Sequence, residues 1–228
     1  MRDHRPALSR RQALASLVGG LGALTFPACR AAIVPGDPLA CVARPAMTEG
    51  PYFVDEKLDR SDIRVDPSNG AVSPGALLHL SLQVNTLGSA CAPLPGAVVD
   101  VWHCDAAGSY SDVGGAKGKR FLRGYQTTDA AGLVTFVTIV PGWYPGRTVH
   151  AHFKVRTPKG AAFTSQVFFD DAFLDGVYAS APYASRGAPD TRNADDGIFD
   201  GGGEQLLLTP TREGDAYVAR LVLGLDAA

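Results

Sequence analysis

From Thr148 to Val155 polar and apolar residues alternate without a break: Thr148, His150, His152 and Lys154 are polar, and Val149, Ala151, Phe153 and Val155 are apolar. Side chains of a strand repeat on one face every second residue, so this run predicts a strand that presents two imidazoles in the same direction. Comparable runs, alternating or continuously apolar and bounded by Gly, Pro, Asn and Ser, predict strands over 77–84, 97–104, 133–140, 162–169 and 216–225. The part of the chain that follows the first thirty or so residues shows no long amphipathic helix and no internal repeat. Several short strands between turn signals predict an all-β fold, a β-sandwich of mainly antiparallel strands with long loops. The segment from Asp170 to Glu204, rich in Gly, Ala, Asp and Ser, has little periodicity and reads as a long loop, of a kind often folded over a site.

The start of the chain has a different character. Ser9-Arg10-Arg11-Gln12-Ala13-Leu14 has the twin-arginine pattern, and the apolar stretch after it, Ala13 to Phe26, is interrupted by Gly19, Gly20 and Gly22. It is too short and too glycine-rich for a membrane span and reads as a targeting segment. We therefore divide the chain into a signal segment, 1–32, and one domain, 33–228. The expected partner of the signal is the twin-arginine export machinery, which handles folded cargo, and the expected destination is periplasmic or extracellular. Cleavage fits within PACRAA; Cys29 there is a candidate for lipid modification, although Phe26-Pro27-Ala28 is a poor approach to such a site.

Export gives the cysteines a meaning, because an oxidising compartment permits disulfides. Cys41 and Cys91 lie in turn-rich contexts and are expected to pair, whereas Cys104 falls within a strand and reads as a buried thiol. The chain of 228 residues is long enough for one sizeable core, and its formal charge of -2 argues against a nucleic-acid partner.

Candidate chemistry gathers around the His-x-His strand. Two imidazoles on one face can bind one ion, and imidazole suits iron, zinc, copper or nickel. Tyr144 sits in PGWYPG between two turn signals, and Tyr110 follows the small-residue turn after VDVWHC. Each tyrosine also reads as an ordinary packed residue. His103, on the face of Val99 and Val101, reads as a satisfied core histidine, and His79 and Tyr125 as structural.

Several segments taken together resemble the intradiol ring-cleavage dioxygenases: TEGPYFVDEKLDRSDIR from Thr48, VDVWHCDAAGSYSD from Val99, FLRGYQTTDAAGLVTFVTIVPGWYPGRTVHAHFKV from Phe121, TSQVFFDD from Thr164 and NADDGIF from Asn193. They occur in order and span nearly the whole chain after the leader. The resemblance implies one Fe(III) per chain, held by Tyr110, Tyr144, His150 and His152. It implies roles beside the metal for Arg147, three residues before the first histidine, and for Gln166, and it implies a catechol and O2 as substrates with a muconate-type diacid as product. Tyr144 would also act as a base toward the catechol. Pro51, Tyr52 and Trp143 are candidate pocket-wall residues. The space between leader and sandwich is too short for the helical dimerisation segment that catechol dioxygenases carry before the core, which leaves oligomeric state open. Two other readings stand beside this one: a non-catalytic exported sandwich used for binding, and a copper or zinc site on His150 and His152. Which catechol is cleaved is open: a carboxylate-bearing substrate would want a dedicated cation in the pocket, and the sequence does not place Arg120, Arg123 or Lys154 there.

Overall fold

The alternating runs do form strands, and the computed structural model, which describes residues 42–88 and 91–226, arranges them in two sheets. In chain order they are β1 (Leu77–Thr86), β2 (Val98–Trp102), β3 (Arg123–Thr127), β4 (Leu133–Ile139), β5 (His150–Arg156), β6 (Ala162–Phe169), β7 (Leu207–Leu208), β8 (Thr211–Glu213) and β9 (Ala216–Leu225). One sheet has the order β4-β1-β9-β8 and the other β3-β2-β5-β6-β7. Pairing is antiparallel except for β1 with β9 and β6 with β7, which run parallel.

Alternation sets the core. Leu78, Leu80, Leu82 and Val84 of β1, each at most 1% exposed, join Phe136 of β4 and Leu221 and Leu223 of β9. With Val99, Val101, Phe153, Val155 and Val167 from the other sheet they make one continuous apolar cluster, whose removal from water is the main force holding the sandwich together. A second, smaller cluster of Trp102, Cys104 and Tyr110, with Tyr52, Phe53, Val113 and Tyr144 packed against it, carries the chemistry described below.

The expected strands are present, β6 and β9 with the expected bounds and the others with ends displaced by up to a few residues, β2 stopping at Trp102 and β5 starting at His150. β3, β7 and β8 carry no sequence signal for a strand. β7 has only two residues, and β3 breaks its alternation at Gly124, where a Cβ would come within 2.9 Å of Ile63 Cγ2. The segment after β6 differs from the loop expected over 170–204. It contains helix α1 (Asp171–Tyr178) and short 3-10 turns at Tyr183–Arg186, Asn193–Asp195, Phe199–Gly201 and Gly203–Leu206. Asp170 caps α1, its carboxylate accepting from the backbone N–H of Ala172 (2.9 Å) and Phe173 (3.1 Å). Eight residues are too few for a helical period to register.

Cys91 is disulfide-bonded and Cys104 is a free, buried thiol. Cys41, expected to pair with Cys91, lies outside the described residues, as do Cys29 and the signal segment 1–32.

Candidate metal centre

β5 buries both of its faces. Val149, Ala151, Phe153 and Val155 enter the sandwich core, while His150 and His152, 2% and 1% exposed, lie on the outer face of the five-stranded sheet. Strand register continues that face into a row, with Arg123 opposite Trp102, Trp102 opposite His152, and His152 opposite Gln166. The Trp102 indole stacks on the His152 imidazole, 4.9 Å between centroids and 5° between planes.

The segment 47–53 crosses this face like a strap. Met47 N–H donates to Thr164 O (3.0 Å), and the Gln166 amide donates to Thr48 O (2.9 Å). Lys154 pairs with Glu49 (2.6 Å), and Phe53 packs on Trp102, 4.8 Å between centroids. Gly50, at φ +67°, passes directly over His152, where a Cβ would sit 3.3 Å from Cε1. The TEGPYF motif is thus a lid built to lie flat on the second histidine. It ends with Tyr52 stacked on Tyr110, 4.4 Å between centroids.

The two tyrosines arrive from the turns predicted for them. Tyr144 follows the strand-end segment after β4, and its hydroxyl lies 3.1 Å from His150 Nε2. His150 Nε2 in turn lies 3.1 Å from His152 Nε2. Tyr110, 5% exposed, comes off the turn after β2, with its ring 5.7 Å from that of Tyr144 and 6.3 Å from that of His152. Its hydroxyl is buried, with the Tyr144 hydroxyl as its side-chain neighbour but no well-formed hydrogen bond, and His152 Nδ1 is buried without a partner. The Tyr110 oxygen therefore keeps lone pairs available to a cation. The Thr148 carbonyl, 2.7 Å from His150 Nδ1, can only accept; Nδ1 therefore carries the proton and Nε2 keeps its lone pair facing the tyrosines.

Burial keeps all four donors neutral in the metal-free state. It raises the Tyr144 phenol to about 12 and holds that of Tyr110 well above its ordinary value. Burial, with Arg147 adding a like charge, takes His150 down to about 3; burial and then His150 itself hold His152 well below the usual imidazole range. Neutral imidazole is the ligand form, and a multivalent cation opposes the desolvation that keeps a phenol protonated. Among the described residues no three His, Cys, Asp or Glu side chains gather to hold a metal, so any such centre depends on the tyrosines. Two phenol oxygens and two imidazole nitrogens fit a hard, oxidised ion such as Fe(III) better than zinc, whose protein ligands are Cys, His and carboxylate.

Arg147 reaches the same face. Its Nη2 donates to Gln166 Oε1 (2.7 Å) and its Nε to Asp196 Oδ2 (2.8 Å). Asp196, 3% exposed, also accepts from the backbone N–H of Thr148 (2.8 Å) and Ile198 (2.8 Å). Burial alone would raise this carboxyl, but the hydrogen bonds from Arg147, Thr148 and Ile198 hold it below its ordinary value. Sequence reasoning assigned no role to Asp196, although it lies in the NADDGIF segment; next to Asp195 nothing marks it as the buried one. Trp102 was missed for a related reason, since its place over His152 emerges only from strand register.

The remaining candidates fall as follows. Pro51, within the strap, is exposed. Trp143 turns its indole away from the four donors, donating to Gly187 O (3.2 Å) beneath the Arg186 guanidinium. Arg123 is buried and bonded to Ser111 Oγ (2.7 Å), Ser111 O and Tyr52 O, which ties down both Tyr110 and Tyr52. Arg120 pairs with Glu56 (3.1 Å). His103 is satisfied inside the protein by Thr138 Oγ1 (2.6 Å) and Cys104 O (2.8 Å).

Fold and site together define a β-sandwich whose outer sheet face carries a buried cluster of paired tyrosines and histidines. The Dioxygenase_C family model, described as dioxygenase, matches residues 48–195. The intradiol ring-cleavage dioxygenase from Tetranychus urticae superimposes with a TM-score of 0.73 at 31% identity, over 82% of this chain and 96% of that one. The dioxygenase domain of a carbohydrate-binding fusion from Streptomyces sp. SirexAA-E gives a TM-score of 0.62 at 34% identity, over 82% of this chain and 100% of that one. Catechol 1,2-dioxygenase 2 from Acinetobacter lwoffii is 29% identical over 157 residues, which cover 60% of this chain and 55% of that protein. The chain spans about half the length of the curated relatives it matches. It belongs to the intradiol ring-cleavage dioxygenase family.

Proposed function

We propose that this protein is an exported Fe(III) enzyme that cleaves a catechol between its two hydroxyl-bearing carbons, inserting both atoms of O2 to give a muconate-type diacid. The observation that carries the proposal is the buried convergence of Tyr110, Tyr144, His150 and His152, with His150 Nε2 3.1 Å from both the Tyr144 oxygen and His152 Nε2, and with the Tyr110 hydroxyl making no well-formed hydrogen bond. These four residues would hold one iron per chain. Fe(III) held by these residues would supply Lewis acidity that favours the ionised, electron-rich form of a catechol, the form in which a ring carbon reacts with dioxygen.

The chain's own groups prepare that reaction. Tyr144 Oη, once ionised, is the base at hand for a catechol hydroxyl proton. Arg147, its guanidinium fixed by Asp196 and Gln166, places positive charge where the substrate ring becomes electron-rich. The Gln166 amide, anchored on Thr48 O, orients oxygen ligands beside His152. Tyr52, Trp102 and the glycine of the strap exclude water from the imidazoles.

The cations that could select a carboxylate-bearing substrate are engaged elsewhere: Arg120 by Glu56, Lys154 by Glu49, and Arg123 by Ser111 and Tyr52. This supports a catechol without an acid group. The Cys91 disulfide supports the export reading, since such bonds persist in oxidising compartments. The test is oxygen uptake by iron-loaded protein over a panel of catechol, hydroxyquinol and protocatechuate, with the product's ultraviolet spectrum recorded. We expect uptake and a diacid product with catechol above protocatechuate; iron-loaded protein that consumes no oxygen with any of them overturns the proposal.

A further inference from the structure

Between the end of β4 and Tyr144 the chain runs through Val140, Pro141, Gly142 and Trp143 without a strand partner for its carbonyls, and each of the four carbonyls is taken by a side chain. Tyr183 Oη donates to Val140 O (2.6 Å), Tyr178 Oη to Pro141 O (2.6 Å), Cys104 Sγ to Gly142 O (3.2 Å) and Arg186 Nη1 to Trp143 O. Three of these donors come from one short stretch, the end of α1 and the 3-10 turn after it. That stretch is itself braced. The rings of Tyr178 and Tyr183 stack at 4.9 Å, Tyr183 Oη accepts from Ala76 N–H (3.0 Å), and the Arg186 guanidinium lies 4.2 Å over the Trp143 ring. On the opposite side Gly142 N–H donates to Asp105 O (3.1 Å), and the backbone packs too closely there for a Cβ at Gly142 or Gly108.

Buried carbonyls need donors, and a sheet neighbour would ordinarily supply them in a ladder. Here separate side chains do so, fixing the backbone of four consecutive residues from outside. The residue that follows is Tyr144. We infer that the Tyr178–Arg186 stretch is a splint whose function is to position the Tyr144 oxygen, with Tyr178, Tyr183 and Arg186 acting as positioning residues for the metal centre. The inference rests on the reading of Tyr144 as a metal donor. It gives a role to a segment that touches none of the four donors, and to the phenols of Tyr178 and Tyr183, which burial keeps protonated and therefore donating.

The test uses iron-loaded full-length protein and reads the visible phenolate-to-iron charge-transfer band together with iron content, kcat and KM. Arg186→Ala and, as a milder change inside the core, Tyr178→Phe are expected to keep iron while shifting or weakening the band. In both, kcat should fall by on the order of ten- to a hundredfold, the range that misplacement of a reacting group by up to about 1 Å produces. Arg186→Lys, which can still donate to Trp143 O, should recover most of the loss. Ser185→Ala, which removes a side chain of the same turn bonded to Pro182 O (3.2 Å), should leave the band unchanged. In a Tyr144→Phe background Arg186→Ala should have no further effect on the band. A wild-type band and kcat in both Arg186→Ala and Tyr178→Phe overturns the splint, and so does an undiminished effect in the Tyr144→Phe background. If Tyr144→Phe alone leaves the wild-type band unchanged, the donor reading falls and the splint with it.

Discussion

Arg147 and Gln166 meet on the outer face of the five-stranded sheet, guanidinium to amide oxygen at 2.7 Å, and Gln166 lies opposite His152 in strand register. The contact is possible because Asp196 holds the other edge of the guanidinium at 2.8 Å and turns it toward the sheet. Arg147 therefore acts as one arm of a three-residue device.

That arrangement predicts the behaviour of Asp196→Asn. The amide cannot neutralise Arg147, and breaking a buried pair by removing one partner costs on the order of 3 kcal/mol. We expect lower thermal stability, unchanged iron content and a kcat reduced by about tenfold or more at equal iron occupancy, since a misaligned guanidinium no longer faces the ring. Kinetics normalised to bound iron check this; a wild-type kcat would show that Arg147 needs no orienting partner.

The four donors predict a division of roles. His150→Ala and His152→Ala should lose iron, whereas Tyr144→Phe should retain it and turn over slowly, because that phenol lies at the edge of the cluster and serves also as a base. Metal loading should release one proton from each tyrosine, since burial holds both phenols protonated beforehand. Iron analysis of the variants and proton release in weakly buffered solution measure both effects. Equal iron loss in all three variants would contradict the separate roles.

Much of this was legible in the sequence, for identifiable reasons. A period of two places His150 and His152 on one face whatever the sheet does with that face, and Pro-Gly signals announce the turns that deliver Tyr144. What sequence could not supply is whatever depends on register or on a distant segment. Trp102 over His152, Gly50 of the strap over His152 and Asp196 behind Arg147 join residues 49 or more apart in the chain, and none has a local pattern that marks it. The helix at Asp171–Tyr178 was hidden by brevity, and its role as a brace by the fact that its targets are backbone carbonyls, which any sequence offers.

Asp100 predicts a pH dependence of stability. Burial raises its carboxyl from 3.8 to about 6, with Arg156 and Lys154 opposing the rise and Asp55 and Glu49 adding to it. A folded-state value above the unfolded one means that the contribution to stability is complete below about 3.8 and is lost as pH rises through about 6. Asp100→Asn should thus be the more stable protein at pH 7.5, by roughly 2–4 °C in Tm for each kcal/mol of buried charge removed, and should hold no such advantage at pH 4. Arg156, with a side chain 35% exposed, stays hydrated when its partner is neutral. Melting curves at the two pH values decide the matter; a lower Tm for Asp100→Asn at pH 7.5 would mean that the ion pair outweighs the burial of its charge.

The covalent frame carries the last prediction. Cys91 is disulfide-bonded while Cys104 is free, buried, and engaged with the Gly142 carbonyl, and burial raises its thiol to about 12, which makes it a poor nucleophile for exchange. We propose Cys41 as the partner of Cys91, since both fall in turn-rich sequence contexts outside the donor-bearing strand sequences. A bridge between them closes a loop of about fifty residues and restricts the unfolded chain, contributing on the order of 3 to 4 kcal/mol in the loop-entropy model. Reduction should then lower Tm by on the order of 10 °C while leaving iron bound, because none of the four donors is a cysteine. Peptide mapping of exported, unreduced protein should recover Cys41 linked to Cys91, with Cys104 alkylated only after denaturation. Recovery of Cys41 as an alkylated free thiol without reduction, or of Cys91 joined to Cys29, would refute the pairing.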